Sequence, residues 1–237
     1  MLRIITDFDG PIMDVSERYY QVYRFCLSQI SRPDQIIQQL PKAEFWRLKR
    51  AQVPERQIGQ MSGLDHMQAA EFARLRRQTV HTRPYLKYDT PIAGATETLE
   101  QIQALGIDLL VMTMRRTSEL EEAFSRCDLG RFFAPDRRYC LSEDYVKTTD
   151  VGDKPLLMQR AIAELSPAES WMVGDTEADI VAAKTHGLKV VSVLSGIRDR
   201  TQLSQHQPDW VAADLGEAVD IILQHANCSV YLNAGNC

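Results

Sequence analysis

Cysteine is sparse in this 237-residue chain, and the five present (Cys26, Cys127, Cys140, Cys228 and Cys237) form no Cys-x-x-Cys pair or other zinc-ligand spacing. An odd, scattered set excludes a disulfide-stapled scaffold and suits a reducing compartment, so a cytoplasmic location is expected and Cys228 and Cys237 read as free thiols. The five histidines include no His-Glu-x-x-His, which removes the commonest catalytic zinc pattern. No run of eighteen apolar residues occurs, so no transmembrane helix is expected. The N-terminus runs straight into a strand with acids behind it rather than into a secretory leader. Repeats and low-complexity tracts are missing too. A basic excess is absent: 27 lysines and arginines face 32 acids, for a net charge of −5. With no nucleic-acid-binding signature either, no such partner is expected.

What is present begins with Leu2-Arg3-Ile4-Ile5-Thr6-Asp7-Phe8-Asp9-Gly10-Pro11. The short, β-branched apolar run reads as a buried strand, and Gly10-Pro11 turns the chain directly after it. Two carboxylates one residue apart therefore sit at a strand's C-terminal end, where open α/β sheets bind ligands. Strand alternation points Asp7 and Asp9 the same way, and like charges that close repel unless they share a cation or a proton. Such a pair suits metal-assisted phosphoryl transfer: one carboxylate attacks, the other shuttles a proton, and a divalent ion holds both.

From Val15 to Arg83 apolar residues recur at helical spacing with no convincing strand, as in Tyr19, Val22, Tyr23 and Cys26, with Ser16 as N-cap. From about Tyr88 onward strands and helices alternate, which predicts a parallel sheet with helices on both faces. The expected architecture is α/β: a Rossmann-like, doubly wound parallel-sheet core (residues 1–14 and 88–237) with an inserted all-α cap (15–87). Lys42 to Lys87 carries ten basic and four acidic residues, a balance of +6 against −11 for the remainder. A basic module on an acidic body is able to steer an anionic substrate. Asp7 with Asp9, Thr113, Lys154, and Asp175 with Asp179 fall in that order at sheet-edge loops. Strand ends of a parallel sheet share one edge, so these residues are placed to converge.

This arrangement resembles the haloacid dehalogenase superfamily of phosphatases and phosphotransferases, in four segments: Asp7-Phe8-Asp9-Gly10, Leu110-Val111-Met112-Thr113, Gly152-Asp153-Lys154-Pro155 and Val173-Gly174-Asp175-Thr176-Glu177-Ala178-Asp179. The segment Pro91 to Leu99 looks like its phosphoglycolate-phosphatase-like branch. The resemblance implies Asp7 as nucleophile and Asp9 as general acid and base. Thr113 and the backbone at Met114 would bind phosphate oxygens, and Lys154 would neutralise the transferring group. Mg²⁺ would be held by Asp7, Asp175 and the Asp9 backbone carbonyl, with Asp179 behind them.

Three departures stand out. Pro11 replaces the usual Thr or Val, and Met114-Arg115-Arg116 replaces an Asn. The cap matches no particular subfamily, which leaves Arg47, Arg50, His66, Arg83 and Arg116 as candidate substrate contacts. The expected activity is Mg²⁺-dependent hydrolysis of a small anionic phosphorylated metabolite by a monomer or homodimer with no membrane association. A sugar phosphomutase of the β-phosphoglucomutase kind and a non-catalytic binding module are the alternatives. The resemblance also implies, from the presence of Asp9, phosphate-ester chemistry rather than the carbon–halogen or carbon–phosphorus cleavage of branches that replace this acid.

Overall fold

The computed structural model describes residues 1–226; Cys228, Cys237 and the tail from Ser229 to Cys237 lie outside the described residues. The chain opens with β1 (Leu2–Thr6) and β2 (Met13–Asp14). Five helices follow: α1 (Ser16–Ile30), α2 (Lys42–Arg50), α3 (Glu55–Met61), α4 (His66–Thr79) and α5 (Arg83–Leu86). The chain returns through β3 (Thr90–Pro91), α6 (Ala95–Ala104), β4 (Asp108–Arg116), α7 (Thr117–Cys127) and β5 (Arg138–Leu141). It ends with α8 (Asp150–Glu164), β6 (Glu169–Gly174), α9 (Glu177–Thr185), β7 (Lys189–Val193), α10 (Arg200–Gln205), β8 (Trp210–Ala212) and α11 (Leu215–His225).

Six strands form one parallel sheet in the order β5-β4-β1-β6-β7-β8. Period-two alternation divides its side chains between two helical layers. Ile5, Leu110, Met112 and Met172 pack with Leu157 and Met158 of α8 and Ile180 of α9. Ile4, Val111, Trp171 and Val173 pack on the other face, with α6, α7 and α11. The strand order reverses beside β1, so the C-terminal end of β1 opens on the crevice where doubly wound sheets take ligands.

Helices α1 to α4 enclose an apolar centre of their own, including Val22, Tyr23, Phe45, Ile58 and Phe72. The Tyr23 and Phe45 rings stack at 4.6 Å, and Phe72 meets Tyr23 edge-on at 6.1 Å. This helical unit joins the sheet through a two-strand ribbon, in which Met13 pairs with Pro91 and Asp14 with Thr90. Among the described residues no helix is long and apolar enough to cross a membrane.

Several local expectations are corrected. Ser16 is the first residue of α1 rather than its cap; the Asp14 carboxylate accepts the Ser16 N–H at 2.8 Å. Lys154, expected in a sheet-edge loop, lies inside α8, which starts at Asp150 because the Thr149 hydroxyl accepts the Gly152 N–H; Pro155 falls within the helix. Strand β4 does not end at Thr113 but continues to Arg116. Its pairing with β5 shifts register between Met112 and Arg116, and that irregularity re-aims the residues in between.

Candidate active site

A cavity of about 340 Å³ lies at the C-terminal end of β1, between the sheet edge and the helical unit. Asp7, Asp9, Thr113, Met114, Lys154 and Asp175 all line it, so residues far apart in sequence do converge. The first residue beyond β1, Asp7, is tethered by its N–H to the Val173 carbonyl at 2.8 Å. Its Oδ1 accepts the Phe8 N–H at 2.6 Å and its Oδ2 pairs with Lys154 Nζ at 2.7 Å. The Lys154 ammonium, 1% exposed, also pairs with Asp179. Burial works against that ammonium, but the Asp179 and Asp7 charges outweigh it and hold its pKa above the ordinary lysine range.

Asp7, Asp175 and Asp179 each place a carboxylate oxygen within 4.8 Å of the other two, and all three are buried. Burial raises Asp7 well above the usual carboxylate range; repulsion from Asp179 and Asp175 adds to this, and Lys154 only partly opposes it. Asp175 is pushed up to about 7 by burial and then by the Asp179 charge, against the Ile197 N–H that it accepts at 2.6 Å. Three carboxylates facing one ammonium are short of positive charge, and a buried all-oxygen donor set fits a hard divalent cation. The surrounding backbone is shaped to admit these side chains. A Cβ on Gly10 or Gly196 would overlap the Asp175 carboxylate, and one on Gly174 would overlap Asp179.

The Asp9 carboxylate is taken by two arginines. Arg18 Nη2 reaches Oδ2 at 2.8 Å, and Arg115 reaches Oδ1 with Nε at 2.9 Å and Nη2 at 2.6 Å. Burial alone would raise its pKa, but the Arg115 and Arg18 guanidinia hold it well below the ordinary carboxylate range. Among the described residues, the carboxylate grouped with those of Asp7 and Asp175 is that of Asp179. Thr113 Oγ1 accepts the Arg115 N–H at 3.2 Å, a contact made possible by the irregular end of β4.

The candidate cap contacts fall largely elsewhere. Arg47 is exposed and pairs with Glu44 along α2 at 2.6 Å. His66 and Arg83 are the exposed first residues of α4 and α5, off the cavity wall. Arg50 turns to the core and donates to the Leu194 and Arg198 carbonyls at 2.7 and 3.2 Å. Arg116 does line the cavity, but its guanidinium is occupied by the carbonyls of Ser142, Glu143 and Tyr145. The helical unit instead presents Tyr19 and His81, with Lys147 and Arg198 of the core beside them. His81 is exposed at the cavity rim, where its crowded surroundings and then the charges of Arg18 and Lys147 lower its pKa. Tyr19 carried a sequence signal, lying in the first turn of the expected cap helix; His81, Lys147 and Arg198 carried none.

Residues 153–218 match the HAD-hydrolase-like family. A phosphoglycolate phosphatase of Pseudomonas syringae pathovar tomato is 24% identical over 90% of this chain and 76% of its own length. One from Synechococcus elongatus is 25% identical over 94% of this chain and its whole length. The solved structure of a haloacid dehalogenase-like hydrolase from Streptococcus pneumoniae superposes with a TM-score of 0.66 at 19% identity, covering 94% of this chain and 98% of that one. Sheet order, inserted helices and the acid cluster agree with these relations: the chain is similar to phosphoglycolate-phosphatase-like hydrolases of the haloacid dehalogenase superfamily.

Proposed function

We propose that this protein hydrolyses a small phosphomonoester with Mg²⁺ as cofactor, through a phosphoryl group carried on Asp7. One observation supports this above the others: Lys154 Nζ stands 2.7 Å from Asp7 Oδ2 inside a cluster of three buried acids at the sheet's switch point. A nucleophilic carboxylate needs its anion stabilised and the incoming phosphoryl charge neutralised, and a buried ammonium does both. Asp7, Asp175 and the Asp9 backbone carbonyl would hold Mg²⁺, with Asp179 orienting Lys154. Bound there, the ion would offset the mutual repulsion of the acids and polarise the phosphoryl oxygens.

In the first half-reaction an Asp7 oxygen bonds to phosphorus as the ester P–O bond breaks, and the leaving oxygen takes the proton that Asp9 carries into that step. In the second, water attacks phosphorus, the P–O bond to Asp7 breaks, and Asp9 accepts the water's proton. Two guanidinia hold Asp9 as the anion, the form a base requires. Thr113 Oγ1 and the backbone at Met114, which line the cavity, would bind phosphate oxygens. A cavity of about 340 Å³ is at the small end of ligand sites and suits a metabolite such as the phosphorylated acid named for the relatives. In this reading residues 15–87 are a cap that shields the reaction from water, with Tyr19 and His81 meeting the leaving group.

A phosphate-release screen over small phosphate esters, with Mg²⁺ and with excess EDTA, tests the proposal. The expected result is turnover of one class of ester that EDTA abolishes. Undiminished turnover in EDTA overturns it.

A further inference from the structure

Asp89 is a fully buried carboxylate at the point where the helical unit returns to the sheet, just before β3. It does not touch the cavity, yet it closes a four-membered ring of charge. Asp89 Oδ1 lies 3.1 Å from Arg18 Nε, and its Oδ2 pairs with Arg115. The same two guanidinia hold the two oxygens of Asp9, one each. Side-chain exposure is 0% for Asp89, 1% for Arg18 and 4% for Arg115, but 25% for Asp9, so the ring reaches the cavity through Asp9. Arg126 of α7 anchors the return segment by donating to the Leu86 and Asp89 carbonyls at 3.0 and 2.9 Å.

The four residues come from four places: the loop after β1, the first turn of α1, the hinge before β3, and the end of β4. Two carboxylates balance two guanidinia, so no member can be neutralised without leaving a buried charge unmatched. An arginine held from one side only retains freedom to rotate about its long stem; Arg115, forked between Asp9 and Asp89, is a fixed donor, and Arg18 is held to Asp89 by charge.

We propose that Asp89 is a positioning residue for Asp9: through Arg18 and Arg115 it fixes the plane of the Asp9 carboxylate and ties it to the hinge of the helical unit. This rests on the assignment of Asp9 as the base in phosphoenzyme hydrolysis. There, water oxygen bonds to phosphorus, the bond to Asp7 breaks with its electrons returning to that carboxylate, and the water's proton passes to Asp9.

Rapid mixing of the Mg²⁺-loaded protein with p-nitrophenyl phosphate separates the two half-reactions, because nitrophenolate departs in the first without needing a proton. Asp89→Asn is expected to keep a burst near one nitrophenolate per protein while steady turnover falls about ten- to a hundredfold, the usual scale for residues that orient a reacting group through an intermediary. Asp9→Asn should show the same burst with a deeper loss, and adding Asp89→Asn to it should change little further. Arg115→Lys, which keeps the charge and loses the fork, should reproduce the split and serves if Asp89→Asn does not fold. A burst amplitude that falls in parallel with turnover, or losses that multiply in the double variant, would show a merely structural Asp89 and overturn the proposal. Wild-type turnover in Asp89→Asn beside an impaired Asp9→Asn overturns the positioning role alone. Undiminished turnover in Asp9→Asn removes the base assignment, and the positioning role with it.

Discussion

Burying an ionised carboxylate costs several kcal/mol unless it is matched, and Asp7 is matched only in part, by the Lys154 it shares with Asp179. Asp7→Asn removes the costly anion while keeping the shape. It should abolish phosphoenzyme formation, yet leave the metal-free protein with an unchanged or higher melting temperature. Phosphate release above a few per cent of wild type would refute Asp7 as nucleophile. Asp9 differs because its charge is fully matched, so Asp9→Asn leaves two buried guanidinia partly unpaired. A fall of ~10²–10⁴ in steady turnover is expected from lost proton transfer, together with a lower melting temperature measured by calorimetry. His81 and Tyr19 line the cavity from the helical unit, where the proposed cap meets the leaving group. His81→Ala should therefore raise KM for the true substrate and leave p-nitrophenyl phosphate nearly unaffected, a contrast that paired kinetic titrations will show.

Among the elements, the end of α2 is the informative one. Arg50 donates to the carbonyls of Leu194 and Arg198, and its own carbonyl accepts the Asp199 N–H at 3.1 Å. The same loop gives Ile197 N–H to Asp175 and the Ser195 hydroxyl to the Gly10 carbonyl at 2.7 Å. Docking of the helical unit and placement of Asp175 therefore share one loop. Arg50→Ala should raise the Mg²⁺ concentration for half-maximal activity several-fold, read from a Mg²⁺ titration. Arg47→Ala should leave that titration and kcat/KM unchanged, because Arg47 pairs with Glu44 on the outer surface. The +6 balance of this segment is thus not a lining of the cavity. Part of it is solvated surface, and part is the Lys49–Glu55–Arg76 cluster behind the Tyr19 ring, with the Arg76 guanidinium carbon 5.0 Å from the ring centre.

For the molecule as a whole, the acid cluster links stability, pH and metal. Asp175 titrates near 7 in the folded protein, against roughly 3.9 for an unfolded aspartate. A group raised on folding contributes most below its unfolded pKa, and that contribution is lost as pH rises through the folded value. Between about pH 4 and 7 this carboxylate therefore destabilises the metal-free fold progressively, while a cation competing with the proton gains. The rise in melting temperature on adding Mg²⁺ should be small near pH 5 and grow through about pH 7. A thermal-shift series with and without Mg²⁺ measures it, and an increment independent of pH would contradict the assignment of Asp175 as a ligand.

Sequence by itself determined what local chemistry decides. Buried strands follow from runs such as Ile4-Ile5 and Val190-Val191, helices from apolar spacing, and the doubly wound order from their alternation. Because every strand of a parallel sheet ends at the same edge, Asp7, Thr113, Lys154 and Asp175 could be brought together on paper before any distance was known. Tertiary structure alone decided which charge meets which. That Arg115, rather than Arg116, meets Asp9 depends on where a side chain turns after a register shift in β4. Asp89 left no local trace, since its partners lie 71 residues before it and 26 after it and nothing in the intervening sequence encodes their meeting. The same holds for the helical unit: a surplus of basic residues is visible in composition, but whether they face the cavity, the solvent or one another is fixed only by packing.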